Sequence, residues 1–461
     1  MNRRESRVAL ASPLRCAVSR CAAQMVHAAD GVQVMPEVSV TGTLEKELLK
    51  ERPAAAVHSS WSLKPLWCAL PFVLLPCALH AATPTMHGEA AHPSMDAGVA
   101  RGVLSLDVYA NGNTVDVLTG ERSAAAAPAT LWHRRSIDGG INWSQPARVD
   151  EGLPTPHEPQ RSNDPQIAAD GRNLIAVWGS AGRGFRGAGP MVAAVSSDGG
   201  RTWRRGANPA DDDRHDGHAF SDLTARNGRF HLTWLDSRGG AQGVRYARSD
   251  DRGASWSMNT TVKSGSCECC WNTLLPARGR SMYLLFRNKA PRDMGLAMSR
   301  DEGASWKTQG AVGVFNWQIE ACPHTGGALA LTGQGPLERL HAVVWTGKSE
   351  IRGLHFLTSV DAGSTWISGV RLGGEYAQRA DLAARGDELV AVWDESVGQH
   401  AAVFVARSRN SGKEWSKPLK LSSENANGIY PRVVAASSNI LVLWTEASAT
   451  ESSKLRMVLL K

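Results

Sequence analysis

From residue 102 onward, hydrophobic and polar positions alternate with a period of two, in short runs joined by Gly or polar turns. Val103 to Leu118, Gln166 to Trp178, Ser221 to Trp234, Thr273 to Phe286, Ala328 to Trp345, Asp381 to Trp393 and Val433 to Trp444 are each two such runs back to back, seven pairs in all. Alternation sends successive side chains to opposite faces and short turns make neighbours antiparallel, so each pair predicts a hairpin. The second run often ends in Trp. Each unit then continues into a third strand, a tight turn and a fourth strand, except the last, which stops after a third run at Leu455 to Leu460. No interior helical span is predicted.

The tight turn is itself a repeat. Ser196-Ser197-Asp198-Gly199-Gly200-Arg201-Thr202-Trp203 returns at Ser136 to Trp143, Ser249 to Trp256, Ser299 to Trp306, Ser359 to Trp366 and Ser408 to Trp415, with tryptophans 60, 53, 50, 60 and 49 residues apart. A short acceptor side chain turns the backbone, Gly takes the conformation other residues avoid, and Trp packs across the hairpin. A period near 50 residues predicts propeller blades rather than a helical solenoid. Seven inner pairs against six octets predict an all-β propeller of seven blades, its final blade completed by residues just before Gly102; six blades is the alternative. Closing the ring hides edges that would otherwise aggregate.

These six octets resemble the Asp-box, or bacterial neuraminidase repeat, and the region 102–461 resembles a sialidase-superfamily β-propeller. The resemblance implies the fold directly. For activity it implies an exo-α-sialidase-like glycoside hydrolase acting on sialic or related acidic sugars, although enzymatic members have six blades and carry an Arg-Ile-Pro segment that is absent here.

Ahead of the repeats the composition changes. Leu63 to Ala82 has one Lys, an apolar core and small residues at its end, which reads as a signal peptide within 58–82 and places the protein in the periplasm or outside the cell. The apolar run is shorter than the roughly 20 residues of a spanning helix, so no membrane span is expected in the mature chain. Residues 1–57 read as an extension translated from too early a start, and Val34 to Thr43 is similar to the opening of a TonB-dependent outer-membrane receptor plug. A flexible linker, 83–101, carries Met86-His87 and His92-Pro93-Ser94-Met95, ligand types suited to copper. The formal net charge of +7 comes from scattered Arg rather than a basic block, which excludes a nucleic-acid partner.

In a propeller the loops feeding the innermost strands surround one mouth of the central channel. Here those loops hold ionisable groups: Arg161 to Asp164, His215 to His218, Cys267 to Trp271, Glu320 to His324, Glu375 to Arg379 and Tyr430 to Arg432. The family resemblance implies a Tyr nucleophile activated by Glu, with three Arg gripping the substrate carboxylate by bidentate pairing. The matching inventory is Tyr430 as nucleophile, Glu320 as its base and Asp216 as acid, with Arg161, Arg379, Arg432, Tyr376 and Glu375 as substrate contacts. A structural role competes with each, since Arg379 and Arg432 have Asp381 and Glu446 as ion-pair candidates.

The cysteines point elsewhere. Cys267, Cys269, Cys270 and Cys322 remain after the leader, and thiolates beside His324 and His218 suit copper(I) or zinc. The competing expectation is a pair of disulfides in an oxidising compartment, first of all a bond from Cys269 or Cys270 to Cys322. The alternative function is therefore a non-catalytic periplasmic propeller that binds a metal or a partner protein through these loops.

Overall fold

A computed structural model of the chain describes residues 102–124, 126–183, 188–212, 217–240, 242–449 and 451–460. The leader, the linker and Asp216 lie outside the described residues. Alternating apolar positions do become strands, and the strands form seven antiparallel sheets, six of four strands and a last one of three. Blade 1 (102–148) begins at Gly102–Asn111, and the innermost strands of the next six are Gln166–Asp170, Ala219–Arg226, Thr273–Pro276, Gly327–Thr332, Ala377–Arg385 and Asn427–Ala435. Each innermost strand packs on that of the following blade, and Asn427–Ala435 packs on Gly102–Asn111, closing a seven-bladed propeller. The six-bladed alternative is thereby eliminated. No helix among the described residues is long and apolar enough to cross a membrane.

Two devices recur among the blades. The octets fold as expected: Ser196 Oγ accepts the Gly200 N–H at 3.0 Å, Asp198 accepts the Arg201 and Thr202 N–H groups, and the Trp203 indole donates to Gly200 O at 3.1 Å. Gly200, at φ 83°, also lies against the His133 ring of the previous blade, where a Cβ would collide. The second device is the aromatic that ends the second strand. Trp234, Trp393 and Trp444 are buried between sheets, and each donates its indole N–H to a carboxylate two residues on, Asp236, Glu395 and Glu446. Those carboxylates then take further donors: Gly374 N–H for Glu395, Ser423 for Glu446, and Arg238 and Arg245 for Asp236. Apolar packing between sheets supplies the core, and these bonds aim the mouth loops.

The ring closes through polar groups as well. The Val103 N–H donates to Ser453 O at 2.8 Å and the Ser437 N–H to Gly112 O at 2.9 Å, joining blade 7 to blade 1.

Candidate functional site

Strand register puts one residue from each blade at the same height on the axis. Asp107 pairs with Leu118, Gln166 with Val177, Asp222 with Thr233, Thr273 with Leu285, Gly327 with Val344, Asp381 with Val392 and Arg432 with Leu443. This ring carries three carboxylates and a single guanidinium. Each carboxylate accepts a main-chain N–H of the next blade, Asp107 from Ile167 at 2.8 Å, Asp381 from Val433 at 2.9 Å and Asp222 from Leu274. The groups that charge the channel therefore also lace the blades together. Burial pushes Asp107 up to about 7 and Asp222 up to about 6, in both cases against the pull of Arg432. Burial works against the charge of Arg432 too, but Asp381, Asp164, Asp107 and Asp222 outweigh it and hold the guanidinium above its ordinary value.

Two residues nearer the mouth lie Ser105, Asp164, Phe220, Trp271, Thr325, Arg379 and Tyr430. In blades 3, 6 and 7 the innermost strand bulges here, and Phe220, Arg379 and Tyr430 take left-handed φ values of 54°, 46° and 49°. A bulky residue pays for that conformation, so neighbours must fix it. Asn163 accepts the Phe220 N–H at 2.6 Å, Asp394 accepts the Tyr430 N–H at 2.8 Å, and Asp394 pairs with Arg379 at 3.1 Å. Burial raises Asp394 to about 6, opposed chiefly by Arg379.

Tyr430 is the hub of this layer. The Arg379 guanidinium lies 4.6 Å and that of Arg161 5.6 Å from its ring centre, and the Trp271 ring meets it edge-on at 6.2 Å. The three Arg nominated from sequence, on blades 2, 6 and 7, thus gather in one cluster. They differ in what they have left to offer. Arg161 is buried and donates to Leu106 O at 2.7 Å, to Asp164 at 2.6 Å and to Tyr430 O, so it fastens blades 1, 2 and 7 together. Arg379 and Arg432 keep about a quarter of their side chains exposed. Their ion-pair partners are Asp394 and, at 3.7 Å, Asp164; Glu446 instead holds Ser423, Trp444 and Arg456.

Of the other glycosidase candidates, Asp216 is outside the described residues and the rest are exposed. Glu320 is exposed on the loop feeding blade 5, and among the described residues no hydrogen bond or ion pair joins a carboxylate to the Tyr430 hydroxyl. Tyr376 is exposed, and the exposed Glu375 faces Arg352 at 3.7 Å.

Beside the hub, the turn of Cys267 to Cys270 points three thiols to one spot. Cys267 Sγ lies 3.7 Å from Cys269 Sγ and 3.5 Å from Cys270 Sγ, all three are buried, and their sulfurs fall within 4.8 Å of one another. Phe220 packs over them and the Arg292 guanidinium donates to Cys267 at 2.9 Å. Hydrogen bonds from Cys269 and Cys270, with Arg292 adding to them, hold Cys267 well below the usual thiol range, while burial pushes Cys270 up to about 12. The expected disulfides are not formed: among the described residues no sulfur pair is at bonding distance, and Cys322 is exposed and outside the cluster. The tight Cys-Glu-Cys-Cys turn buries its own thiols around a shared centre, whereas Cys322 and His324 project from the loop feeding blade 5. His218 sits apart as well, bonded to Asp212 at 2.9 Å.

Sequence reading missed the residues that complete this region. Arg287 and Arg292 flank the hairpin turn between the second and third strands of blade 4, which opens on the same mouth as the loops feeding the innermost strands. Asp107 and Asp222 looked like ordinary strand polars. Their signal was the shared strand register, which sets Asp107, Asp222, Asp381 and Arg432 at one height in blades 1, 3, 6 and 7.

No protein-family model and no curated protein matches the chain. Solved structures do match in fold, among them sialidases and other propeller glycosidases or lyases. Polysaccharide lyase Uly1 is 11% identical over 82% of this chain and 93% of its own, with a TM-score of 0.49. Trypanosoma rangeli sialidase is 12% identical over 78% and 55%, TM-score 0.45, so this chain spans about half that protein's length. A Dyadobacter fermentans protein of unknown function is 12% identical over 79% and 96%, TM-score 0.44. At such identities the likeness is one of fold alone.

Proposed function

We propose that this protein is an exported, non-catalytic propeller that binds a thiophilic metal ion through Cys267, Cys269 and Cys270. The observation that carries the reading is the convergence of three buried sulfurs within 4.8 Å without a disulfide. Reduced thiols this close would oxidise in an oxidising compartment unless something occupied them, and thiolate donors select copper(I) or zinc over hard cations. The ion's binding energy would add to the stability of the turn that holds it. The test is direct. Protein reduced anaerobically, loaded with Cu(I) or Zn(II) and desalted is expected to retain one ion per chain, and Cys270→Ser to retain none. No ion retained by the reduced protein, or retention unchanged in Cys270→Ser, would refute the proposal.

Arg379 and Arg432, open to the channel beside Tyr430, favour a second reading in which the mouth takes an acidic sugar. Binding is better supported than hydrolysis, because Arg161 is committed to the scaffold and among the described residues no carboxylate bonds the Tyr430 hydroxyl. Turnover of a fluorogenic sialoside that is abolished in Tyr430→Phe would establish the enzyme; equal, background rates in both proteins are expected.

A further inference from the structure

We propose that the face opposite the mouth carries a separate binding site, a basic groove between blades 5 and 6 that takes an acidic oligosaccharide bearing carboxylate or sulfate groups. The octets and the turns between first and second strands all lie on that face. The groove has a volume of about 600 Å³. One wall belongs to blade 5, where the turn through Gly335–Leu337 leads into Arg339 at the start of the second strand. The other belongs to blade 6, with Asp387 in the equivalent turn and Arg409 and Lys413 on the octet Ser408 to Trp415. Three cations therefore line the groove against one carboxylate.

This octet departs from the other five in charge while keeping their geometry. Its third position is Asn410, where each of the others has Asp. Asn410 Oδ1 still accepts the Ser408 hydroxyl at 3.0 Å and the Glu414 N–H at 2.9 Å, so the turn is made without the carboxylate. With Arg409, Lys413 and Glu414 the octet has a net charge of +1, and none of the other five is positive.

The carboxylates nearby are engaged elsewhere. Glu388 pairs with Arg385 at 3.1 Å and with Arg407, and Glu338 faces Arg278 at 3.5 Å. Glu414 accepts from Asn410 Nδ2 at 3.1 Å, and Asp387 accepts the Ser411 hydroxyl at 3.1 Å. Among the described residues no carboxylate pairs with Arg339, Arg409 or Lys413. Like charges facing one concave space raise its potential and concentrate anions there. A guanidinium meets a carboxylate or sulfate with two parallel N–H donors, and an ammonium adds a point charge. Gln334 and Leu337, both exposed on the blade 5 wall, add a carboxamide for hydroxyls and an apolar patch for the C–H face of a sugar. No aromatic ring is among the described lining residues, so the groove has nothing on which a nucleobase would stack.

The full chain is titrated by calorimetry at low salt with a heparin tetrasaccharide, tetragalacturonate, neutral maltotetraose and a polyphosphate of matched charge. At least one of the two acidic sugars is expected to bind once per chain, more weakly as salt is added, and maltotetraose not to bind. Which acidic sugar binds tells sulfate from carboxylate. Arg409→Gln combined with Lys413→Gln should weaken binding by about 5- to 30-fold, the worth of two exposed charge pairs. Asn410→Asp restores the carboxylate that the other octets carry, and should weaken it by about 2- to 5-fold with the thermal midpoint unchanged. Absence of binding by either acidic sugar, or polyphosphate binding as tightly, overturns the proposal. So does binding that survives these variants and is lost in Arg379→Gln, which would place the sugar at the mouth.

Discussion

Aspartates do two opposite jobs in this molecule, and pH separates them. In the octets Asp138 accepts the Asn142 N–H and side chain and the Ser136 hydroxyl, which push it down to about 2. Stability from that group is present above the unfolded-state value near 4 and is lost as pH falls through the folded one. In the axial ring the sign reverses. Asp107 ionises in the unfolded chain near 4 but in the folded ring only near 7, so its contribution is complete below the lower value and disappears as pH rises through the upper. Asp222 and Asp394, each near 6, act in the same direction. The thermal midpoint is therefore expected to fall between about pH 4 and about pH 7, and to fall less in Asp107→Asn, which keeps an acceptor for the Ile167 N–H. Superimposable profiles for the two proteins would show that Asp107 is no harder to ionise in the ring than in the unfolded chain.

At the scale of strands and hairpins, most of the architecture was legible before any coordinates. Alternation marked all seven inner pairs with the right partners, because burial of one strand face leaves a period-two trace. The octets marked hairpin tips, because their turn needs Ser, Asp or Asn, and Gly at fixed places. Blade number followed from the inner pairs and would have been missed from the octets, since the last blade has none. The bulges at Phe220, Arg379 and Tyr430 left no such trace, because they depend on Asn163 and Asp394, which lie on the preceding blade for Phe220 and Tyr430 and on the next strand for Arg379. Cysteine chemistry was half legible: the sequence showed which residues carry soft donor atoms, and only the turn showed that Cys322 stands apart. The aromatic device has a measurable weight. Trp234→Ala empties a fully buried position between blades and removes one of the donors to Asp236, and should cost about 3–5 kcal/mol in urea unfolding. A loss below about 1 kcal/mol would mean the site collapses around the gap.

The whole ring is held by residues that a functional inventory would assign to substrate. Arg161 joins blades 1, 2 and 7 across the closure, so Arg161→Ala should leave the buried Asp164 with only the more distant Arg432 as its cation and cost up to about 3–5 kcal/mol, without changing metal retention by the cysteines. A stable variant would return Arg161 to the list of free ligand contacts. Around that rigid frame the mouth divides into an aromatic and guanidinium hub at Tyr430 and a buried thiol cluster on blade 4, and the second is what the account rests on. X-ray absorption at the metal edge of the loaded chain examines it most directly. A shell of three sulfur atoms at roughly 2.3 Å, lost in Cys270→Ser, is the predicted result; a shell of nitrogen or oxygen, unchanged in that variant, would contradict it.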